Sequence, residues 1–401
     1  MSRIILSNVR LNGVGDPQVI VVADGKIESV GAQAPADLGP ADHVEDCGGQ
    51  IVLPGFADGH AHADKSLWGE PWIRRTSEPI TMEQMFDDML QQWAETTTPV
   101  TTRARAFLDK CVAYGSTSIR TFTDVAPEIG LDGIHGLLQV REEMADLTDL
   151  QIVAFPQLGI LRKPGTAELL DQALREGADA VGGLDPAGVD GDAARQLDIV
   201  FDLAEKYQVP VDFHAHESGE LGIWLIERIS ERVKALGMQG KVSLCDVFSL
   251  ADPTPAQFDR LATLLAEADI AVTVGVHGLL PVPDVKALHA RGVRMCLGSD
   301  SARSRWSPWG EGDILARAQF MAYKCYWRMD DDLEFAATLA TTLGRDVLGV
   351  PRSDLRAGDA ADLVVLPGET IGELVVEPPQ RTLVMKRGRI VARAGALVTG
   401  A

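Results

Sequence analysis

The sequence predicts an α/β fold: a (β/α)8 TIM-like barrel that carries a small β-sandwich domain formed from both chain termini. Three observations support this. Eight apolar, β-branched runs alternate with helical stretches in the middle of the chain, hairpin signals occur at both ends, and polar residues follow several of the runs directly. A doubly wound α/β fold is the competitor. The barrel is favoured because its active sites collect polar residues at the carboxyl ends of several strands.

Both ends of the chain have the pattern of paired β-strands. QVIVVADGKIESVG contains two β-rich runs joined by Asp24-Gly25, and RTLVMKRGRIVARAG contains two joined by Arg387-Gly388. A two-residue connection of this type is a strong hairpin signal. We therefore expect residues 1–52 and 355–401 to form one composite β domain.

The middle of the chain, residues 53–354, is predicted to form the barrel. Its expected strands are IVLPGF (51–56), TSIRTFT (117–123), LQIVAFPQ (150–157), ADAVGGL (178–184), VPVDFHAH (209–216), KVSLCDVF (241–248), DIAVTVGVH (269–277) and VRMCLGSD (293–300). Amphipathic stretches such as TAELLDQALREG and ARQLDIVFDLAEKY read as the intervening helices, since each begins at a small or polar residue.

Composition excludes several classes of protein. The chain has 401 residues, 46% hydrophobic and 24% charged, which is typical of a globular protein and not of a disordered one. A formal net charge of −21 argues against binding to nucleic acid or to anionic membranes. Five scattered cysteines, no secretory leader and no apolar run of about 20 residues favour a cytoplasmic protein. The sequence does not decide the oligomeric state, and a homo-oligomer is one possibility.

A metal site is predicted where polar residues follow the apolar runs. His60 and His62 follow the first run, His214 lies in the fifth, and Asp300 ends the eighth. In an extended segment residues i and i+2 point the same way, so two imidazoles of a His-x-His pair can reach one ion. A third histidine and a carboxylate complete a site with an open position for water, whose pKa the metal lowers.

Glu217 is the candidate proton carrier of this site. It lies three residues after His214, and a carboxylate beside a metal-bound water can move a proton from that water to a leaving nitrogen. The alternative is an exposed acid that opens the following helix, where the helix dipole favours a negative charge.

The motifs PGFADGHAHADKS, FHAHE and LGSD together resemble the amidohydrolase superfamily, in particular its cytosine deaminase and N-isopropylammelide amidohydrolase-like group. The resemblance covers nearly the whole chain. It implies a barrel with one divalent metal ion, zinc or iron, whose ligands are His60, His62, His214 and Asp300. It also implies that Glu217 is the proton shuttle and that Asp300 assists as a base.

The same resemblance implies four substrate-binding residues. Gln157 ends the third run, where the group places an amide that hydrogen-bonds the substrate ring, and Lys65 matches a lysine near the site. Trp306 and Trp309 lie in SRWSPWGEGD and could stack on a flat ring. The alternatives are a loop-capping amide, a surface lysine and two tryptophans that pack a loop. The fourth run has no lysine to bridge two metals, which favours a single-metal site.

One position departs from the group. A histidine is expected at the end of the sixth strand, and this chain has Asp246 there. Asp246 could be a metal ligand, a base, an acceptor for a cationic substrate, or a sign of lost activity; we hypothesise a catalytic role that changes substrate choice or proton routing. His277 ends the seventh run and is a candidate for a nearby substrate-binding imidazole, or is a plain loop residue. His216 is expected to point away from the metal by strand alternation.

These residues predict a hydrolase that removes an amino or alkylamino group from a small nitrogen heterocycle by attack of metal-bound hydroxide. Hydrolysis of a cyclic or linear amide with the same metal is the alternative, and a non-catalytic barrel homologue is a remote one. Pyrimidine, triazine, pterin, purine and creatinine-like rings all stay open.

Overall fold

The structure, a computed structural model, describes residues 3–75 and 81–398. The strands in this part of the chain are β1 (Ile4–Leu11), β2 (Gln18–Ala23), β3 (Lys26–Gly31), β4 (His43–Pro54), β5 (Phe56–Ala61), β6 (Ser116–Asp124), β7 (Asp149–Phe155), β8 (Ala180–Leu184), β9 (Val211–His214), β10 (Val242–Cys245), β11 (Ile270–Gly275), β12 (Met295–Gly298), β13 (Leu363–Leu366), β14 (Leu383–Lys386), β15 (Arg389–Arg393) and β16 (Ala396–Leu397).

The helices of the same part are α1 (Met82–Glu95), α2 (Val100–Ala113), α3 (Asp132–Glu143), α4 (Thr166–Glu176), α5 (Ala193–Tyr207), α6 (Gly219–Leu236), α7 (Pro255–Glu267), α8 (Val285–Ala290), α9 (Ile314–Lys324), α10 (Asp330–Ala340), α11 (Thr342–Val347) and α12 (Ile371–Val376). The two predicted helices correspond to α4 and α5. Across residues 3–75 and 81–398, no helix combines the length and the apolar character that a membrane span requires.

Strands β5 to β12 form one parallel sheet in sequence order. Its two edges meet where Ala61 bridges to Asp300, and the Asp300 amide donates to the His60 carbonyl at 2.7 Å. This contact closes the sheet and confirms the predicted (β/α)8 barrel. It also brings the first and the last predicted metal-site segments side by side.

The predicted first barrel strand, residues 51–56, was wrong. Residues 51–54 are the end of β4, which pairs with β1 and β13 in the small domain, and the barrel strand begins at Phe56. The chain crosses between the two sheets at Gly55, where a Cβ atom would lie 2.4 Å from Thr117 Oγ1. In the sequence, the ends of these two strands look like one apolar run, because only Gly55 separates them and no polar residue marks the boundary.

The small domain is built from both termini, as predicted. Its sheet has the order β16-β15-β14-β13-β4-β1-β2-β3, and both predicted hairpins are present, with positive φ at Asp24, Gly25, Arg387 and Gly388. The Ile27 amide donates to the Asp359 carbonyl at 2.9 Å, which returns β3 to the segment that precedes β13. The sheet therefore curls round a separate apolar core, which consists mainly of Leu6, Val9, Ile20, Val22, Ile27, Val52, Leu363, Val365, Leu383 and Met385.

The small domain is fixed to the amino-terminal ends of barrel strands. Lys386 is fully buried, and its Nζ donates to the Thr117 carbonyl at 2.9 Å, to Asp149 Oδ2 at 2.7 Å and to Asp362 Oδ2 at 3.0 Å. Thr117 and Asp149 lie at the starts of β6 and β7. The opposite, carboxyl ends of the strands are left for a site, as in other barrels of this type.

Candidate metal centre and active site

Three histidines meet at the carboxyl ends of two barrel strands. His60 lies in β5, His62 follows that strand, and His214 ends β9. Their exposed fractions are 0%, 4% and 4%. The His60 Nε2 atom lies 3.0 Å from His62 Nε2 and 3.1 Å from His214 Nε2, so the three imidazoles converge on one point.

A carboxylate completes this group. Asp300 Oδ1 lies 3.3 Å from both His60 Nε2 and His62 Nε2. Asp300 has a φ of 55°, in the left-handed region that aspartate tolerates better than most residues. Burial alone would raise the pKa of Asp300, but the charges of His277 and His60 outweigh burial and lower it to about 2. The carboxylate is therefore ionised at neutral pH.

The four side chains fit a divalent metal ion. Burial holds the pKa of His62 and of His214 well below the usual range, so both imidazoles are neutral and carry a free lone pair. Ring nitrogens and a carboxylate oxygen that face each other at about 3 Å can share a proton or hold a metal cation between them. Three imidazoles and one carboxylate are also a donor set that transition metals prefer. The rings of Phe122 and Phe155 pack against the histidines.

A cavity of about 1100 Å³ opens beside this group. Its lining brings together most of the residues that the sequence singled out, namely His62, Lys65, Gln157, His214, Asp246, His277, Asp300, Trp306 and Trp309. These residues are spread over about 250 positions of the chain and meet because they lie at or after strand ends of one closed barrel.

Lys65 and Gln157 form one wall of the cavity. Lys65 Nζ donates to Gln157 Oε1 at 2.6 Å and lies 2.9 Å from Asp124 Oδ1. An ammonium group only donates, so it fixes the oxygen of the amide toward itself and leaves the Gln157 NH2 group for a ligand. This contact uses one of the two lone pairs of the Gln157 oxygen. Burial raises the pKa of Asp124 to about 7.

The two predicted tryptophans lie at different depths. Trp306 is half-buried, and its ring lies 5.6 Å from Lys65 Nζ, close to the polar wall. Trp309 is 76% exposed and stands at the mouth of the cavity. Trp306 is therefore placed to contact a ring near the metal group, and Trp309 is placed to contact whatever projects outward.

Asp246 and His277 form a pair beside the histidine group. Asp246 Oδ1 accepts from the Gly275 amide at 2.9 Å and from His277 Nε2–H at 3.1 Å. His277 Nδ1 lies 3.7 Å from Asp300 Oδ2. Burial alone would lower the pKa of His277, but Asp246 outweighs burial and raises it to about 9. The aspartate that replaces the expected histidine therefore holds an imidazole from the next strand.

His216 does not point away from the site, so that expectation was wrong. His214 and His216 are two residues apart, so an extended backbone places them on the same side, as it does His60 and His62, and the expectation applied strand alternation wrongly. His216 lines the cavity, with Nδ1 3.0 Å from Asp185 Oδ2 and with its ring stacked on Phe248. Sequence reasoning also missed Asp185, although a polar residue directly after the fourth apolar run was a usable signal.

Glu217 is anchored by a neighbouring loop. Its Oε1 accepts from the amides of Ala187 and Gly188 at 2.8 and 2.7 Å. Its Oε2 is buried and has no hydrogen-bond partner among the described residues, and burial raises the pKa of this carboxyl group. Among the described residues, 3–75 and 81–398, Glu217 is not one of those that line the cavity. Its role as a proton carrier stays a prediction.

Comparison with known proteins identifies relatives along almost the full chain. N-isopropylammelide isopropyl amidohydrolase of Pseudomonas sp. (strain ADP) is 29% identical over 358 residues, which are 88% of this chain and 89% of that protein. Pterin deaminase of Rhizobium rhizogenes is 28% identical over 397 residues, covering 94% of this chain and 88% of that protein.

Solved structures give the same result. N-isopropylammelide isopropylaminohydrolase from Burkholderia multivorans superposes with a TM-score of 0.94 at 37% identity, covering 99% of this chain and 100% of that one. For 5-methylcytosine deaminase from Klebsiella pneumoniae with phosphonocytosine, the TM-score is 0.83 at 26% identity, again with 99% and 100% coverage. A model of the amidohydrolase family matches residues 43–392, and the chain therefore belongs to the amidohydrolase family.

Proposed function

We propose that this protein is a metal-dependent hydrolase that removes an amino or alkylamino group from a nitrogen heterocycle. The observation that carries the proposal is the convergence of His60, His62, His214 and Asp300 at the inner end of a cavity whose wall donates hydrogen bonds. For the barrel that contains this site we propose the boundaries 53–354, with residues 1–52 and 355–401 as the composite β domain.

The four converging side chains are our proposed ligands for one divalent ion, zinc or iron. When bound there, the ion supplies a Lewis acid that lowers the pKa of water and polarises the carbon under attack. One ion is favoured because strand β8 ends at Leu184 and is followed by Asp185, so no lysine stands there to bridge two metals.

The Lys65 and Gln157 wall would bind the ring. The Gln157 NH2 group and the Lys65 ammonium both donate, so this wall suits a carbonyl oxygen or an unprotonated ring nitrogen. Trp306 lies beside them and offers an aromatic face for a planar ring. These contacts orient the ring so that one carbon faces the histidine group.

Proton transfer is assigned to Asp300, His277 and Glu217. Asp300 is ionised and can accept a proton from the attacking water. His277, held through Nε2 by Asp246, presents Nδ1 toward Asp300 and toward the ring. Glu217 would carry a proton through Oε2, since Oε1 is occupied by two amides.

The proposed reaction balances with water as the co-reactant. The oxygen of water forms a bond to the ring carbon, and the exocyclic C–N bond breaks. One proton of the water goes to the leaving nitrogen, and the other stays with the ring as its oxo tautomer. The product pair is an oxo-heterocycle and ammonia or a primary amine.

The test is product analysis with zinc-loaded and iron-loaded protein over a set of amino- and alkylamino-substituted pyrimidines, triazines and pterins. We expect release of ammonia or amine with the ring intact, and about one metal ion per chain. A ring-opened carboxylate would instead indicate amide hydrolysis. A purified protein that binds no metal after reconstitution would overturn both forms of the proposal.

A further inference from the structure

The cavity changes character from its inner to its outer end. The inner end is polar, with Lys65, Gln157, His277 and Asp300 in its wall. The outer end is formed by four apolar or aromatic side chains, which we call the aromatic rim: Leu280, Trp309, Phe320 and Tyr323. These are 46%, 76%, 48% and 88% exposed, respectively.

An exposed group of this kind requires an explanation, because large apolar side chains that cluster at a surface usually mark a binding site. Phe320 and Tyr323 are three residues apart in α9 and so share one face of that helix. Trp309 comes from the loop after β12, and Leu280 from the loop after β11. The Lys324 ammonium donates to the Gly278 carbonyl, which ties the end of α9 to the loop that carries Leu280.

The size of the cavity also indicates that the aromatic rim is part of a binding site. A volume of about 1100 Å³ is at the upper end of the range that holds drug-sized ligands. A single heterocycle fills only part of a cavity of this volume, which leaves room for a substituent. The rim residues and the Lys65 and Gln157 wall line the same cavity, so one ligand can contact both.

We propose that the substrate is a nitrogen heterocycle whose leaving nitrogen carries an apolar, ring-containing substituent, and that the aromatic rim binds this substituent. The inference rests on the proposed function, because it names the substrate class for that site. The substituent is placed on the leaving nitrogen as part of this proposal, because the proposed reaction breaks the bond to that nitrogen and releases whatever group it carries.

The experiment compares two probes that differ only in this substituent, N-isopropylammelide and N-(2-phenylethyl)ammelide, with zinc-loaded protein. We expect kcat/KM for phenylethylamine release to exceed that for isopropylamine release by about tenfold, which is the effect of burying one phenyl group. Equal values would overturn the inference and leave the proposed function intact. If neither probe is hydrolysed, the proposed function fails for this ring, and the ratio of the two dissociation constants from calorimetry decides the inference.

Two tyrosines, one inside and one outside the cavity lining, test whether the aromatic rim causes the difference between the two probes. Tyr323 lines the cavity, whereas Tyr326 is 72% exposed and does not line it in the described part of the chain. We expect Tyr323→Ala to lower the ratio of the two probes about fivefold or more, and Tyr326→Ala to leave both rates unchanged. The assignment would be refuted if Tyr323→Ala did not alter this ratio. It would also be refuted if Tyr323→Ala had a lower mass than wild type on sedimentation, because the rim would then be a contact between two copies of the chain.

Discussion

Replacement of Asp246 by alanine tests how the site orients His277. The change removes the oxygen that accepts from the Gly275 amide and from His277 Nε2–H. The hydrogen bond from the Gly275 amide contributes about 1 kcal/mol to stability, and the charge-assisted hydrogen bond from His277 contributes about 1.5–3 kcal/mol. A positioned acid–base group contributes roughly 10²–10⁴ in rate, so we expect kcat to fall about 10²-fold with a smaller change in KM.

The assay is amine release by Asp246→Ala, by His277→Ala and by the double variant, each with its metal content measured. Because the two side chains are proposed to act as one unit, the double variant should be no more than about threefold slower than the slower single variant. Asp259→Ala is the matched control, since Asp259 is exposed on α7 and lies outside the cavity lining.

Two results would refute this reasoning. One is a rate within twofold of wild type for Asp246→Ala at equal metal content. The other is an additive loss near 10⁴-fold in the double variant, which would mean that the two residues act independently. Asp246→His, which restores the imidazole expected from the family resemblance, should alter rate or substrate choice; no effect on either would argue against any role for Asp246.

The remaining predictions concern the metal, the ring wall and stability. Chelation should abolish amine release and lower the melting temperature, and one equivalent of zinc should restore both, as measured by calorimetry. Lys65→Met should raise KM about tenfold at unchanged metal content, because Gln157 loses the contact that fixes its amide. Arg120→Met should lower the free energy of unfolding in urea by about 3–5 kcal/mol, because it leaves the buried Asp212 carboxylate, 2.8 Å from Arg120, without its ion-pair partner. Arg393 lowers the pKa of Glu45, so this pair stabilises the fold above the ordinary glutamate pKa and loses its effect as the pH falls through the lowered value. Arg393→Ala should therefore differ from wild type by less than about 1 kcal/mol at neutral pH and converge with it in acid, as followed by thermal melts.

The predicted barrel and the proximity of the four candidate ligands depend on local patterns. The barrel follows from alternating runs, and the convergence of His60, His62, His214 and Asp300 follows from strand ends that share one edge of a closed sheet. Both follow from the sequence, because the period of the pattern and the strand direction together decide which residues face the cavity.

The errors arose at a strand boundary, in one use of strand alternation, and where a contact spans the sequence. Gly55 hides a strand boundary inside an apolar run, and His216 was assigned to the wrong face although it follows His214 by two residues. The Lys65 contact that fixes Gln157 joins residues 92 positions apart, and the loop amides that hold Glu217 come from about 30 positions earlier. Such partners are set by tertiary packing, and neither spacing nor residue type specifies them.

The replacement of the expected histidine by Asp246 is best understood from the geometry of neighbouring parallel strands. Strands β10 and β11 pair in register from Val242 with Ile270 to Cys245 with Thr273, so their carboxyl ends open on the same part of the cavity. An imidazole lost from the end of β10 can then be supplied from the end of β11, provided that a neighbour holds its ring. Asp246 supplies that hold through Oδ1, and the lack of a β-carbon at Gly275 leaves the room, since a Cβ there would lie 2.2 Å from His277 Nε2. Asp246, His277 and Gly275 therefore form one arrangement, in which the glycine leaves the space that the carboxylate–imidazole contact occupies, and this contact fixes the imidazole that faces Asp300.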